Sequence, residues 1–366
     1  VYGEPWLDPD GLFGEMLFPI VSLSVAIILF EGGMTLKLNE LRKIGGAVRN
    51  MVSIGVAVTW ILATIAAHLL LKFDMPLALL IGAIFTVTGP TVIGPLLRHV
   101  RPSGQLGPVL KWEGILSDPI GALLAVLVFE SIMAAAHGGV DNTLTHSLLG
   151  AGQALGSGLI VGAACAGFLV LMLNRYWIPD YLQSPVTLSL VVLSFELSNK
   201  VHAESGLLAV TIMGMLLANQ RFAAVKHVVE FKENLRVLLI SSLFILLAAR
   251  LGVDDIKRID LGGLAFMLAI ILVIRPASVW LATIGTGLPW KEKLWLGLVA
   301  PRGIVAAAVA SIFSFRLIES GTPGAEDLVP VTFLVIVGTI TFSGLAAGPI
   351  ARMLGLAKLD PQGVLI

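Results

Sequence analysis

Apolar runs recur along the chain, each followed by a short polar stretch. A bilayer core of roughly 30 Å needs about 20 apolar residues per helix. On that measure the pattern predicts about eleven spans, at 14–33, 49–71, 76–98, 107–134, 147–173, 185–199, 205–219, 234–251, 261–286, 293–316 and 328–354. The sixth and seventh are short, and hydropathy alone allows one bent span. Asn199-Lys200-Val201-His202 carries a charge and polar groups that lipid does not accept, so the reading splits them.

Composition agrees. Residues of the AVILMFWYC set make up 57% of the 366, charged residues only 13%, and mean hydropathy is +0.93. A soluble domain carries about 25% charge. This chain cannot solvate a globular surface, which excludes a soluble enzyme, a disordered chain and a nucleic-acid binder with a basic face. One cysteine, Cys165, excludes a disulfide scaffold and a thiolate metal cluster. The fold class is an all-α polytopic membrane protein.

Net charge is zero, but its distribution is not even. Sixteen lysines and arginines fall in loops on the side of Lys37 and six on the other, with Arg275 and Arg302 inside spans. The basic side is cytoplasmic. The start of the chain is therefore expected outside and the C-terminus in the cytoplasm. Residues 1–11 read as a polar loop, without a basic, cleavable leader.

Ionisable residues inside spans are costly and mark function. The interior ones are Glu113, Asp118, Glu196, Arg275 and Arg302; Glu31, Glu130 and Arg250 lie near span ends, where an interfacial role is open to them. Glu113 and Ser117 share a helix face, while Asp118 lies roughly 140° away from Glu113 at 100° per residue. One helix thus aims two carboxylates at different partners. Pro119 frees the carbonyl of Ile115 within a turn of Asp118. In the third span, Thr88-Gly89-Pro90 and Gly94-Pro95 preclude a continuous helix and free the carbonyls of Thr86 and Thr91. The tenth span has a similar break at Pro301-Arg302-Gly303. These two spans run in opposite directions. Two interrupted helices of opposite direction are what an inverted-repeat transporter places at its substrate site. Arg302 needs a counter-charge, and Glu113 is the expected partner in a structural ion pair. Arg275 is left between pairing with Glu196 and reaching the interface. Gly152/Gly156 and Gly158/Gly162 mark close helix contact, within one protomer or between two. The histidines are expected mostly in solvated loops.

With these residues in place, the sequence resembles the monovalent cation/proton antiporters of the NhaP-like and sodium/hydrogen-exchanger branch. The carriers are Leu29-Phe30-Glu31-Gly32-Gly33, Thr88-Gly89-Pro90, Glu113 with Ser117-Asp118-Pro119, and Pro301-Arg302-Gly303. The resemblance implies an inverted-repeat fold with two crossed, unwound helices, here the third and tenth spans. It implies a thirteen-helix family plan of which this chain lacks the first two. The whole chain is then one transport domain: an incomplete first repeat over 12–134, a linker helix over 147–173 and a second repeat over 185–354. The resemblance also implies a homodimer in a membrane, expected to be a bacterial inner membrane. By residue, Asp118 matches the ion- and proton-binding aspartate, Glu113 and Arg302 the buried ion pair, Thr88 an oxygen donor to the cation, and Glu31 a glutamate near the cation path. Ser117 joins Asp118 and Thr88 in the expected oxygen set. The family usually has Thr-Asp-Pro and Asn-Asp where this chain has Thr88-Gly89-Pro90 and Ser117-Asp118.

The expected activity is secondary antiport of Na⁺ or K⁺ against H⁺, electroneutral and one for one, with both ions competing for Asp118. A cation channel, or a symporter of related fold not coupled to protons, is the alternative. No cofactor, nucleic-acid partner or enzymatic reaction is expected; the partners are the monovalent cation (Na⁺, K⁺ or Li⁺), the proton and lipid.

Overall fold

The computed structural model describes residues 9–136, 143–222, 226–249 and 260–357. Every regular element among them is helical. Six helices are long and apolar enough to cross a membrane: Leu17–Met34, Leu38–Leu71, Leu106–Met133, Gly152–Asn174, Leu261–Ala282 and Ala325–Met353. Shorter helices fill the rest, including Met75–Ile84, Pro90–Val100, Gln183–Asn199, Ser205–Asn219, Lys226–Ala249, Trp290–Leu298 and Ile304–Glu319.

The helix expected from 49 begins at Leu38. Charges at Glu40, Arg42 and Lys43 end the hydropathy signal, but the helical period continues beneath them and buries Ile44, Ala47 and Val48. The run at 185–219 is two helices. Between them the Ser205 hydroxyl donates to the Ser198 carbonyl (2.7 Å), and Asn199 Oδ1 accepts from Gly206 N–H (2.8 Å). These bonds meet backbone groups that the turn would otherwise leave bare. Arg250, placed near a span end, and residues 1–8 of the initial polar stretch lie outside the described residues.

Close packing relies on small residues. A Cβ on Gly33 would strike the Thr211 carbonyl, and one on Gly162 the Ala209 carbonyl, so Leu17–Met34 and Thr143–Asn174 both press directly on Ser205–Asn219. Gly158 likewise faces Leu208, whereas Gly152 and Gly156 face open space. Half of the glycine stripe is therefore an internal contact. The buried apolar residues form two bodies. One gathers Phe85, Val87, Ala122 and Ile304–Ala310; the other gathers Ile93, Ile115, Trp295 and Val299. The interrupted segments 88–92 and 300–303 pass between these bodies, and the buried charges lie there.

Candidate functional site

Met75–Ile84 stops where glycine and proline were expected to stop it. Phe85, Thr86 and Val87 close the helix with bonds to Ile81, Ala83 and Ile84 carbonyls (3.0–3.2 Å). Pro90, whose missing N–H costs nothing at a first helical position, then opens Pro90–Val100. The second break is alike: Trp290–Leu298 ends, 299–303 is non-helical with Val299 and Gly303 extended, and Ile304 begins the next helix.

The two breaks cross at their glycines. Gly89 N–H donates to the Pro301 carbonyl at 3.0 Å. A Cβ on Gly89 would lie 2.9 Å from both the Arg302 carbonyl carbon and Gly303 N, and one on Gly303 would lie 2.6 Å from Gly89 Cα. Only a pair of residues without side chains permits that approach. Arg302 fastens the crossing: its Nη1 donates to the Val87 carbonyl at 2.8 Å, and its backbone N–H donates to Thr339 Oγ1 at 3.1 Å.

Asp118 lies at this crossing. It is fully buried, and neither carboxylate oxygen has a hydrogen-bond partner. The Thr88 backbone N–H approaches the carboxylate without meeting full hydrogen-bond geometry, and the Arg302 guanidinium acts on it through space. The Thr88 hydroxyl donates to the Gly114 carbonyl at 3.1 Å, one turn before Asp118, and ties the first break to Leu106–Ala136. Ser117, the preceding residue, is also buried. Asp118, Thr88 and Arg302 are thus brought together, with Ser117 next to Asp118 in the chain.

The expected Glu113–Arg302 pair is not what forms. Arg275 takes Glu113 in a two-pronged contact, Nη1 to Oε1 and Nη2 to Oε2, the latter at 2.8 Å. Both side chains are buried. Arg302 feels Glu113, Asp118 and Arg275 only through space. The physical reason is a wide π turn, Ile270–Ile274, just before Arg275-Pro276. A π turn inserts a residue into the helix. It turns Arg275 relative to an uninterrupted α-helix and absorbs the donor missing at Pro276. Glu196, the other expected partner, lies on an exposed helix face.

Glu31 is not interfacial either. Its side chain is 4% exposed and meets Arg236, with Nε 3.2 Å from Oε2 and Nη1 3.3 Å from Oε1. Both line a cavity of about 250 Å³ with Thr35, Thr91, Gly94 and Lys111. Glu31 therefore stands apart from the Asp118 group. Glu130 does keep to the edge: it is half exposed, 3.9 Å from His202 Nε2. Arg236 and Thr339 were missed in the sequence. Arg236 lies 205 residues from Glu31, and threonine in an apolar helix gives no signal of its own.

The profile of the family described as sodium/hydrogen exchanger, transmembrane, matches residues 7–353. Two relatives come from Methanocaldococcus jannaschii. The probable Na(+)/H(+) antiporter 2 is 24% identical over 92% of this chain and 84% of its own length, and the Na(+)/H(+) antiporter 1 is 26% identical over 92% and 83%. The K(+)/H(+) antiporter NhaP2 of Shewanella sp. (strain MR-4) is 26% identical over 93% of this chain, which spans 58% of that longer protein. The structure of the sodium proton antiporter MjNhaP1 from M. jannaschii at pH 8 superposes with a TM-score of 0.82, covering 95% of this chain and 88% of that one at 22% identity. A shared fold over nearly the whole chain and a family profile spanning almost all of it place this multi-pass membrane protein in the sodium/hydrogen exchanger family.

Proposed function

We propose that this protein is a secondary antiporter that exchanges a monovalent cation, Na⁺ or K⁺, for a proton, with Asp118 carrying one or the other. The observation behind the reading is the state of that carboxyl: fully buried, at the crossing of two broken helices, with both oxygens unpartnered. Removing an ionised carboxylate from water costs several kcal/mol even after relaxation. Such a group is stable when it holds a proton, or when hard oxygen ligands and a cation replace its water. Both demands fall on the same two oxygens, so the ions exclude each other. Ser117, the Thr88 oxygen and the carbonyls released at the breaks would complete a cation's shell.

One proton for one cation moves no net charge, so exchange is electroneutral. Access alternates by a rigid shift of the crossed helices against the others. The eleven crossings fit the six long helices plus five shorter passages: the broken pairs 75–100 and 290–319, and Gln183–Asn199, Ser205–Asn219 and Lys226–Ala249. On the family plan these are an incomplete repeat, a linker and a second repeat. The basic side, with Arg98, Lys111 and Arg236, faces the cytoplasm, the start of the chain faces outward, and the host membrane is a bacterial inner membrane. The working unit is a homodimer that needs no cofactor and catalyses no covalent reaction.

Asp118→Asn keeps the shape of the side chain and removes its ionisation. In liposomes with an imposed proton gradient, this variant is expected to abolish cation-driven proton flux. Retained exchange would overturn the reading. Cation flux in the wild type that never runs uphill against its own gradient would indicate a channel. A rate that follows membrane voltage would contradict the one-for-one ratio.

A further inference from the structure

The cavity on the basic side ends at Pro90 and Thr91, the first residues beyond the crossing, and at Ile115, one turn from Asp118. It is the space a cation would cross from the cytoplasm to reach Asp118, and the inference here rests on the antiporter reading to that extent. Two polar groups line its inner part. Thr91 Oγ1 is buried without a hydrogen-bond partner, and Glu31 presents a buried carboxylate. Lys111 is held elsewhere, donating to the Thr35 carbonyl at 2.8 Å and pairing with Glu40 at 3.3 Å. Arg236 brings a positive charge to Glu31 through two contacts of 3.2–3.3 Å. These lie beyond the roughly 2.7–2.9 Å of a strong charge-assisted bond. One tip of the guanidinium lies against Gly94: a Cβ there would come within 2.6 Å of Nη2, with Cζ at 3.7 Å. Arg236 is also the more open partner, with 19% of its side chain exposed against 4% for Glu31.

We infer that the Arg236 guanidinium is a tethered stand-in for the transported cation at Glu31, so that entry into this vestibule swaps a fixed positive charge for a mobile one. The buried carboxylate keeps a counter-charge throughout, and its desolvation never goes uncompensated. The loose contacts and the open side of Arg236 let the guanidinium withdraw toward the cytoplasm. While it occupies Glu31, the vestibule is competent for a free cation only in the remaining fraction of time. Apparent affinity is reduced by that fraction. Arg236 thereby sets the cation concentration at which exchange begins.

Two variants displace the guanidinium by different means. Arg236→Gln removes it. Gly94→Ala alters no charge but puts a methyl group where Nη2 lies, on a helix that accepts alanine readily. In everted vesicles at fixed alkaline pH, added Na⁺ or K⁺ meets the cytoplasmic face directly. The half-saturating cation concentration, read by fluorescence dequenching, is expected to fall about tenfold in Arg236→Gln and in the same direction in Gly94→Ala, with the tenfold change equivalent to about 1.4 kcal/mol. In a Glu31→Gln background neither change is expected to matter. A half-saturating value that is unchanged or higher in Arg236→Gln, or a fall that persists without Glu31, would overturn the inference. Purified protein in detergent supplies a readout that does not need transport. NaCl, compared with choline chloride, should raise the melting temperature of Arg236→Gln more than that of wild type, and an equal rise in both would count against the swap. Glu31-dependent stabilisation by Na⁺ with no exchange in the wild type would sink the antiporter reading and leave this one standing.

Discussion

Arg275→Gln breaks the buried pair with Glu113 while keeping an uncharged polar side chain, shorter than arginine, at the position. Both partners are about 95% or more buried, and the guanidinium fork meets both carboxylate oxygens. Removing one partner of such a pair leaves an uncompensated charge and costs roughly 3–5 kcal/mol. Unfolding entropy of about 2.1 cal/mol/K per residue converts that cost to a Tm decrease of roughly 4–6 °C for a chain of 366 residues. The assay is thermal unfolding in detergent at one scan rate, since membrane-protein melts are commonly irreversible. Tryptophan fluorescence reports it, because Trp112 and Trp295 are buried in the body flanking the site. Glu113→Gln/Arg275→Gln should recover most of the loss, because no lone charge remains. The decisive quantity is the coupling energy from the double-mutant cycle. It is expected to be about 2 kcal/mol or more for Glu113 with Arg275 and well below that for Glu113 with Arg302. Stronger coupling to Arg302 would refute the assigned pairing and restore the one helical counting suggests.

Two further expectations concern the crossing and the turn before Ser205–Asn219. Gly89→Ala forces a methyl group onto the Arg302–Gly303 backbone; overpacking of this kind costs about 1–3 kcal/mol, and vesicle exchange should drop below detection while Gly152→Ala, which faces open space, leaves it unchanged. Glu204 lies in the turn before Ser205–Asn219, where its desolvation raises its pKa above the ordinary 4.5 and Arg316 partly offsets the rise. The folded protein therefore binds that proton more tightly than the unfolded chain. Stability is greatest below the ordinary value and declines as pH rises through the raised one. Melting curves from acid to neutral pH should show this decline in wild type and a flatter profile in Glu204→Gln.

Several of these features were legible in the amino-acid sequence. Proline and glycine act through their own backbone, so both breaks at Gly89-Pro90 and Pro301–Gly303 could be located without knowing any neighbour. Asp118 followed from the same local reasoning: a carboxylate beside a proline in an apolar run has few structural uses. The ion pairs were harder. Helical counting correctly separated Glu113 from Asp118, but choosing a partner for Glu113 required the rotation of Leu261–Ala282. The π turn Ile270–Ile274 changes that rotation, and no hydropathy pattern announces it. The partner of Glu31 was not legible, because Arg236 stands 205 residues away in the chain and reaches it only through the fold. The helix from Leu38 was missed because a charged face conceals an apolar one in any window average.

The amide-to-carbonyl bond from Gly89 to Pro301 joins segments more than two hundred positions apart. During synthesis the Gly89 amide must therefore wait, without this partner, until the segment carrying Pro301 has entered the bilayer. The crossing is consequently closed only after both halves have been made, and nascent chains halted before Pro301 should be preferred prey for membrane proteases.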